Sequence, residues 1–283
     1  LSRGYPSGDF DAYFNRPDTV IAGAGSTNRL YNELLRKAVA KRLQYQQVKD
    51  IGMLLGNSPS VQLLNRQSIP DLVKGDELQL KFNANAAANR KLKAIHISIN
   101  GIPVYGKTGR DLTGHPASII NDLTIRLLPG VNDIRLYASD EEGLISPSEH
   151  LLVNAEYNLS TPSNLYFIGI GINRFADSAN NLSWSVKDIR DLAGKLQAKY
   201  PNARIDTLFD EQVTRENIIA LKKKLLMSQE QDKVVIAYSG HGLLDGSFNY
   251  FLSTYPVSFS HPGEQGLPYE ELENLLDQIP ARQ

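Results

Sequence analysis

Acid–base chemistry in this 283-residue chain centres on one short stretch. SGHGLLDG, positions 239–246, sets His241 between two glycines directly after the apolar run KVVIAY. Histidine is the side chain best suited to exchange protons near neutral pH. Flanking glycines have no Cβ, so they would leave the imidazole unshielded and let a second backbone come close. A plain turn histidine has the same surroundings, and the local residues leave both readings open. The other four histidines, His96, His115, His150 and His261, are spaced too irregularly for a metal site and read as solvated or core groups. Ser239 stands two residues before His241 but lacks the G-x-S-x-G elbow of a serine hydrolase. Gly169-x-Gly171 fails as a phosphate cradle, because no third glycine or Walker lysine follows and the next helix starts only near Ser185. These two read as packing glycines. Lys222, Lys223 and Lys224 spread around a helix and read as a solvated face.

Composition narrows the chemistry further. There is no cysteine, which removes disulfides, thiolate zinc sites, iron–sulfur clusters and a cysteine nucleophile within these residues. Thirty Lys and Arg against thirty-one Asp and Glu leave a net charge of −1, so no global field draws nucleic acid or anionic lipid. No apolar run approaches the roughly 18 residues of a membrane span. The chain reads as soluble, without membrane or nucleic-acid partners, and as cytoplasmic.

The elements that must position His241 lie in the last third. LYFIGIGI (165–172) and KVVIAY (233–238) are continuous apolar runs of the kind buried in a parallel sheet, with a further strand near 204–209. Helices alternate with them. One has Ser185 as its N-cap, Asp188 as capping-box partner, and Val186, Ile189, Leu192 and Leu196 inward. Another is capped by Thr214 with Ile218, Leu221 and Leu225 inward, and a last covers 268–279. This order predicts a doubly wound α/β sheet that is incomplete, since Pro280–Gln283 is only the approach of a further strand. In such sheets reactions sit at the carboxyl ends of strands, which selects the loops 173–184, 210–213 and 239–246.

Upstream the period is two. Leu78, Leu80 and Phe82 alternate with polar residues, and so do Ile95, Ile97 and Ile99 before Asn100-Gly101, a type I′ hairpin signal with Ile102 and Val104 on the return strand. Leu123, Ile125 and Leu127, then Ile134 and Leu136, then 151–157 continue the pattern, with turns at Pro129-Gly130 and Glu142-Gly143. Residues 60–160 therefore predict a small, immunoglobulin-like β-sandwich. Residues 1–59 form an N-terminal segment, irregular over the first twenty, helical from Asn28 to about Gln46, and helical again over 48–55. The α/β domain spans 161–283.

From about Asn164 to Gln283 the chain resembles the large-subunit part of the caspase and metacaspase-like cysteine peptidases. The resemblance rests on LYFIGIGINRF (165–175), LSWSVKDIRDLAGKL (182–196), TLFDEQVTRENI (207–218) and above all VVIAYSGHG (234–242). The sandwich and Asn15-Arg16-Pro17-Asp18 resemble regions preceding such domains in bacterial multidomain proteins. By position, His241 matches the family's catalytic histidine and the backbone N–H of Gly242 one oxyanion-hole donor. The resemblance implies a Cys-His endopeptidase acting on protein or peptide substrates, with a preference for Arg or Lys before the cut. The family's nucleophile would follow the helix matched by 268–279. Either the sequence stops before that Cys, or the Cys lies on a second chain or C-terminal segment, or the domain is a degenerate, non-catalytic scaffold that binds a partner. Truncation is the favoured expectation, and with it a chain inactive by itself.

The remaining assignments are loop readings. Arg174 and Asp177 would touch substrate from the cleft wall or else belong to a solvated loop. Residues 254–266 would form a rim or lid. No cofactor is implied. Calcium activation occurs in some relatives, but Asp245 and its acidic neighbours form no recognisable calcium loop.

Overall fold

The computed structural model describes residues 14–45, 58–87, 89–159 and 162–283. They divide into two compact units, Leu1–Asn158 and Leu159–Gln283. The helix expected over 48–55 lies outside the described residues.

In the first unit, helix α1 (Pro17–Gly23) occupies part of the stretch that the sequence reading left irregular. Proline at the start of the helix supplies a fixed φ where its missing N–H costs nothing. The Arg16 guanidinium clasps the Asp18 carboxylate through two hydrogen bonds of 2.9 Å. Helix α2 (Arg29–Tyr45) follows and buries Val39.

The β region contains β1 (Ser60–Leu63), β2 (Leu72–Lys74), β3 (Glu77–Asn85), β4 (Leu92–Ile99), β5 (Ile102–Pro103), β6 (Arg110–Asp111), β7 (Ser118–Arg126), β8 (Gly130–Asp140) and β9 (Glu149–Glu156). One sheet has the order β1-β3-β7. The other runs β2-β9-β8-β4-β5, with β6 also paired to β4. Alternating residues of both sheets, among them Leu80, Phe82, Ile97, Ile125 and Leu136, share one buried cluster. Asn100 and Gly101 have φ of 54° and 81°, the signature of the expected tight turn, and Ile99 faces Ile102 across it. The short strands β1, β2 and β6 were not foreseen, being too brief to show a period.

In the second unit, β10 (Leu165–Gly171) pairs in parallel with β11 (Arg204–Phe209) on one edge and β12 (Lys233–Ser239) on the other. Helix α3 (Ser185–Lys199) follows β10, and α4 (Arg215–Ala220) and α5 (Lys222–Leu225) follow β11. A small antiparallel sheet comprises β13 (Gly242–Leu244), β14 (Tyr250–Leu252) and β15 (Leu267–Pro268), with α6 (Pro262–Gln265) before β15 and α7 (Tyr269–Leu276) after it.

Successive side chains of a strand point to opposite faces. On β10, Tyr166, Ile168 and Ile170 join a buried cluster with Ile218, Leu221 and Leu225 of α4, α5 and the turn between them, and with Leu275 of α7. On the opposite face, Gly169 and Gly171 bring α3 close. A Cβ on Gly169 would stand 2.5 Å from the Ile189 side chain, and one on Gly171 would stand 2.9 Å from the Ser185 carbonyl oxygen. These are packing glycines, as the sequence suggested. On the far edge of β12, the Val234 N–H donates to the Gln283 carbonyl oxygen at 2.9 Å.

Three expectations are corrected. Ser185 is the first residue of α3, not its cap. Trp184 holds the cap position and its side chain makes no capping bond. The acceptor comes from Asn173, whose Oδ1 takes the Val186 N–H at 3.1 Å. Leu192, expected inward, is exposed, so the buried stripe of α3 is confined to its first turns, where Val186 and Ile189 meet the sheet. The last helix spans Tyr269–Leu276 instead of 268–279, and of its expected apolar face Leu276 is exposed.

Candidate active site

His241 lies just beyond the carboxyl end of β12, separated from it by Gly240, and is half-buried. Its main chain is fixed from the far side. The His241 N–H donates to Ser253 Oγ at 3.1 Å, and the Ser253 N–H donates to the His241 carbonyl oxygen at 2.9 Å. The Tyr238 hydroxyl reaches the Ser253 carbonyl oxygen at 2.8 Å and Ser253 Oγ at 2.7 Å. Ser253 is fully buried. Burial drives the Tyr238 phenol well above its ordinary pKa, so it stays a neutral hydroxyl and holds this junction as a hydrogen-bonding group.

Among the described residues the imidazole has one polar partner, the Asn180 carbonyl oxygen, 3.0 Å from Nε2. A carbonyl can only accept, which assigns the proton to Nε2 and leaves Nδ1 of the neutral ring with a lone pair. Phe175 and Phe259 flank the ring at centroid separations of 5.4 Å and 5.1 Å. The ring is therefore walled by aromatic side chains, in contrast to the unshielded imidazole expected from its glycines. Those glycines have another reason. A Cβ on Gly240 would stand 2.5 Å from both Ile172 Cγ2 and the Tyr238 hydroxyl, and one on Gly242 would run into the Tyr250 hydroxyl.

Gly242 has a distinct place in the small sheet. His241 and Ser253 share a ladder bond, and the Asp245 N–H donates to the Asn249 carbonyl oxygen at 3.1 Å. Antiparallel pairs alternate between bonded and non-bonded, so Gly242, opposite Leu252, occupies a non-hydrogen-bonded position. Its N–H points away from β14, and the residue is exposed.

Loop 173–184 supplies the carbonyl that meets the imidazole, and Asp210 anchors that loop. One Asp210 oxygen accepts the N–H groups of Asn173 at 2.8 Å and Arg174 at 2.9 Å. Arg174 extends its guanidinium to Asp210 and Glu211, at 3.4 Å and 3.5 Å, and is 64% exposed. Asp177 caps the single helical turn Ser178–Asn180, accepting from the Ala179 N–H at 3.1 Å and the Asn180 side-chain amide at 3.2 Å. It thereby shapes the turn that presents the Asn180 carbonyl. Asn181 accepts the Phe175 N–H at 2.8 Å and ties the loop's two sides together.

Sequence reasoning selected all three loops and His241 but missed Asn180, Phe175 and Phe259 as neighbours of the imidazole, and Asp210 as the anchor of the loop that carries Asn180. Asp210 lies in a selected loop and follows a strand directly, a signal that could have raised it. The Asn180 carbonyl is a backbone atom and has none.

Asp245, considered for calcium, accepts the N–H groups of Ser247 and Asn249, each at 2.8 Å, and pins the β13–β14 turn. Among the described residues no group of three or more His, Asp or Glu side chains could hold a metal ion. No described helix is long and apolar enough to cross a membrane.

Residues 168–278 match the family model of the caspase domain. The match supports a caspase-like peptidase domain in that part of the chain. Among curated proteins none matches. Among solved structures, the chain is similar to the fibronectin(III)-like modules of CbhA from Clostridium thermocellum, with 16% identity, a TM-score of 0.26, and 37% of this chain and 53% of that chain covered. It thus spans about half the length of that structure. The PKD domain of an M14-like peptidase from a Thermoplasmatales archaeon is similar at 13% identity and a TM-score of 0.26, over 36% of this chain and 95% of that one. The SrpA adhesin from Streptococcus sanguinis is similar at 18% identity and a TM-score of 0.23, over 52% and 77%.

Proposed function

We propose that the caspase-like domain is part of a cysteine endopeptidase that cuts after Arg or Lys, with His241 as its acid–base group and a cysteine contributed by polypeptide other than these 283 residues. One observation carries this reading. His241 stands at the carboxyl end of β12 with Nε2 committed to the Asn180 carbonyl, so Nδ1 is free to act as the base.

On this reading Nδ1 takes the thiol proton as sulfur bonds to the scissile carbonyl carbon. The Gly242 N–H donates to the oxyanion, the Asn180 carbonyl stabilises the imidazolium through Nε2, and the imidazolium returns its proton to the departing amine as the C–N bond breaks. Water, deprotonated by the same imidazole, then hydrolyses the thioester. Arg174 and Asp177 belong to the cleft wall, with Asp177 acting through the turn that it caps. The incomplete doubly wound sheet and the upstream β-sandwich are parts of the same proposal, with the sandwich as a spacer.

The absence of cysteine favours one alternative, a non-catalytic scaffold. The test measures hydrolysis of Arg- and Lys-ended fluorogenic peptides by this chain and by a form of the protein that contains the cysteine. Turnover is expected only in the latter, with a loss of about 10²–10⁴-fold on His241→Ala. Activity of the 283-residue chain alone would overturn the nucleophile assignment. Inactivity of the cysteine-containing form would favour the scaffold.

A further inference from the structure

The walls of the His241 ring are unequal in origin. Phe175 follows β10, is 4% exposed, and belongs to the core. Phe259 comes from residues 254–266 and is only partly buried. The three rings form a closed triangle. Phe175 and Phe259 meet edge to face at 5.6 Å and 87°, and Phe259 meets the imidazole at 5.1 Å and 79°.

The segment carrying Phe259 is tied to the loops after β10 and β11. The Tyr255 N–H donates to the Val213 carbonyl oxygen at 2.8 Å, and the Ala176 N–H donates to the Tyr255 carbonyl oxygen at 3.0 Å. Thr254 Oγ1 donates to the Gln265 carbonyl oxygen at 2.9 Å and closes the segment on itself. Val257, two residues before Phe259, is buried in the core. Phe259 is therefore held at a fixed place.

Such a placement matters because the terminal torsion of histidine is broad, so packing has to fix the plane of the ring. A tilt of the ring out of the plane set by its two aromatic neighbours would break the bond to Asn180 and turn the Nδ1 lone pair away. One hydrogen bond to a carbonyl is a weak lock for a half-buried ring. We infer that Phe259 is a positioning residue for His241, closing the aromatic wall that holds Nε2 on the Asn180 carbonyl and keeps Nδ1 as the acceptor. Its catalytic consequence rests on the peptidase reading; its effect on the ring does not.

The test is side-chain 15N NMR on the 283-residue chain, with His241 assigned by the signal lost in His241→Gln. The native chain should show a protonated Nε2 and an unprotonated Nδ1 for the neutral ring. Phe259→Leu and Phe259→Ala should draw the two nitrogen shifts toward each other as both tautomers populate, and Phe259→Tyr should restore the native pair. If Phe259→Ala fails to fold, Phe259→Leu and Phe259→Tyr decide. A native tautomer pattern in a folded Phe259→Leu, or an averaged pattern already in the native chain, would overturn the inference. Because no turnover is measured, this failure is distinguishable from failure of the peptidase assignment.

Discussion

Asp210 does more for the site than its place at a strand end suggests. It has φ of 47°, in the left-handed region where Asp and Asn are the common non-glycine occupants. That turn aims its carboxylate at the N–H groups of Asn173 and Arg174. Replacing it with Ala removes two hydrogen bonds to a charged acceptor, one from the part-buried Asn173 N–H and one from the exposed Arg174 N–H, and should cost about 1–3 kcal/mol in urea unfolding. Asp210→Asn keeps an amide oxygen for both donors and gives up chiefly the exposed pairing with Arg174, worth about 1 kcal/mol or less. Equal losses for the two variants would show that charge, and not the acceptor, holds the loop. The site was legible in the sequence only where side-chain type declares chemistry. His241 between glycines was conspicuous. Its partner is the main-chain oxygen of Asn180, and a backbone atom carries no mark of its role in the residue that bears it.

Among the elements, α3 shows how differently two glycines can act. Gly171 faces the helix across a gap that admits no Cβ, which would meet the Ser185 carbonyl oxygen at 2.9 Å and Val186 Cα at 3.0 Å. Both are backbone atoms, so Gly171→Ala must push the helix off the sheet. Overpacking of this kind costs about 1–3 kcal/mol. Gly194, inside the same helix, has nothing within 4 Å of a Cβ position. Gly194→Ala should stabilise by about 0.5–1 kcal/mol, the propensity difference in a helix interior. Thermal unfolding of the two variants reads both signs, and destabilisation by Gly194→Ala would contradict the open space beside it. The main strands were legible because burial imposes period two or an unbroken apolar run. The start of α3 was misassigned because its capping oxygen comes from Asn173, 13 positions from the N–H that it accepts, while the local Ser185–Asp188 spacing imitates a capping box. Leu192 was misassigned because periodicity marks a face without saying how far a neighbour covers it.

At the scale of the whole molecule, each unit has its own buried cluster, built from Val61 through Ala155 in one and Tyr166 through Leu275 in the other. Acid should act on them unequally. In the first unit His96 lies flat on Tyr137, with centroids 4.6 Å apart and planes 1° from parallel, and Nε2 bonds Ser139 Oγ at 2.9 Å. A Cβ on Gly109 would stand 2.6 Å from the ring. Burial, with a smaller push from Lys93, lowers its pKa to about 4. An unfolded histidine titrates near 6.5, so between pH 6.5 and about 4 the unfolded chain binds the extra proton and stability falls on acidification. His115 has the opposite sense. Its pKa is raised, chiefly by the hydrogen bond to Glu141, so its contribution is complete below pH 6.5 and adds no slope in that window. Urea titrations at pH 7, 5.5 and 4 should therefore show the first unit losing stability, by up to the linkage of one proton, relative to a His96→Gln variant whose curve is flatter. The transition of the second unit should be the same in both proteins. Parallel pH profiles for native and His96→Gln chains would mean that the imidazole takes up its proton in the folded state without penalty.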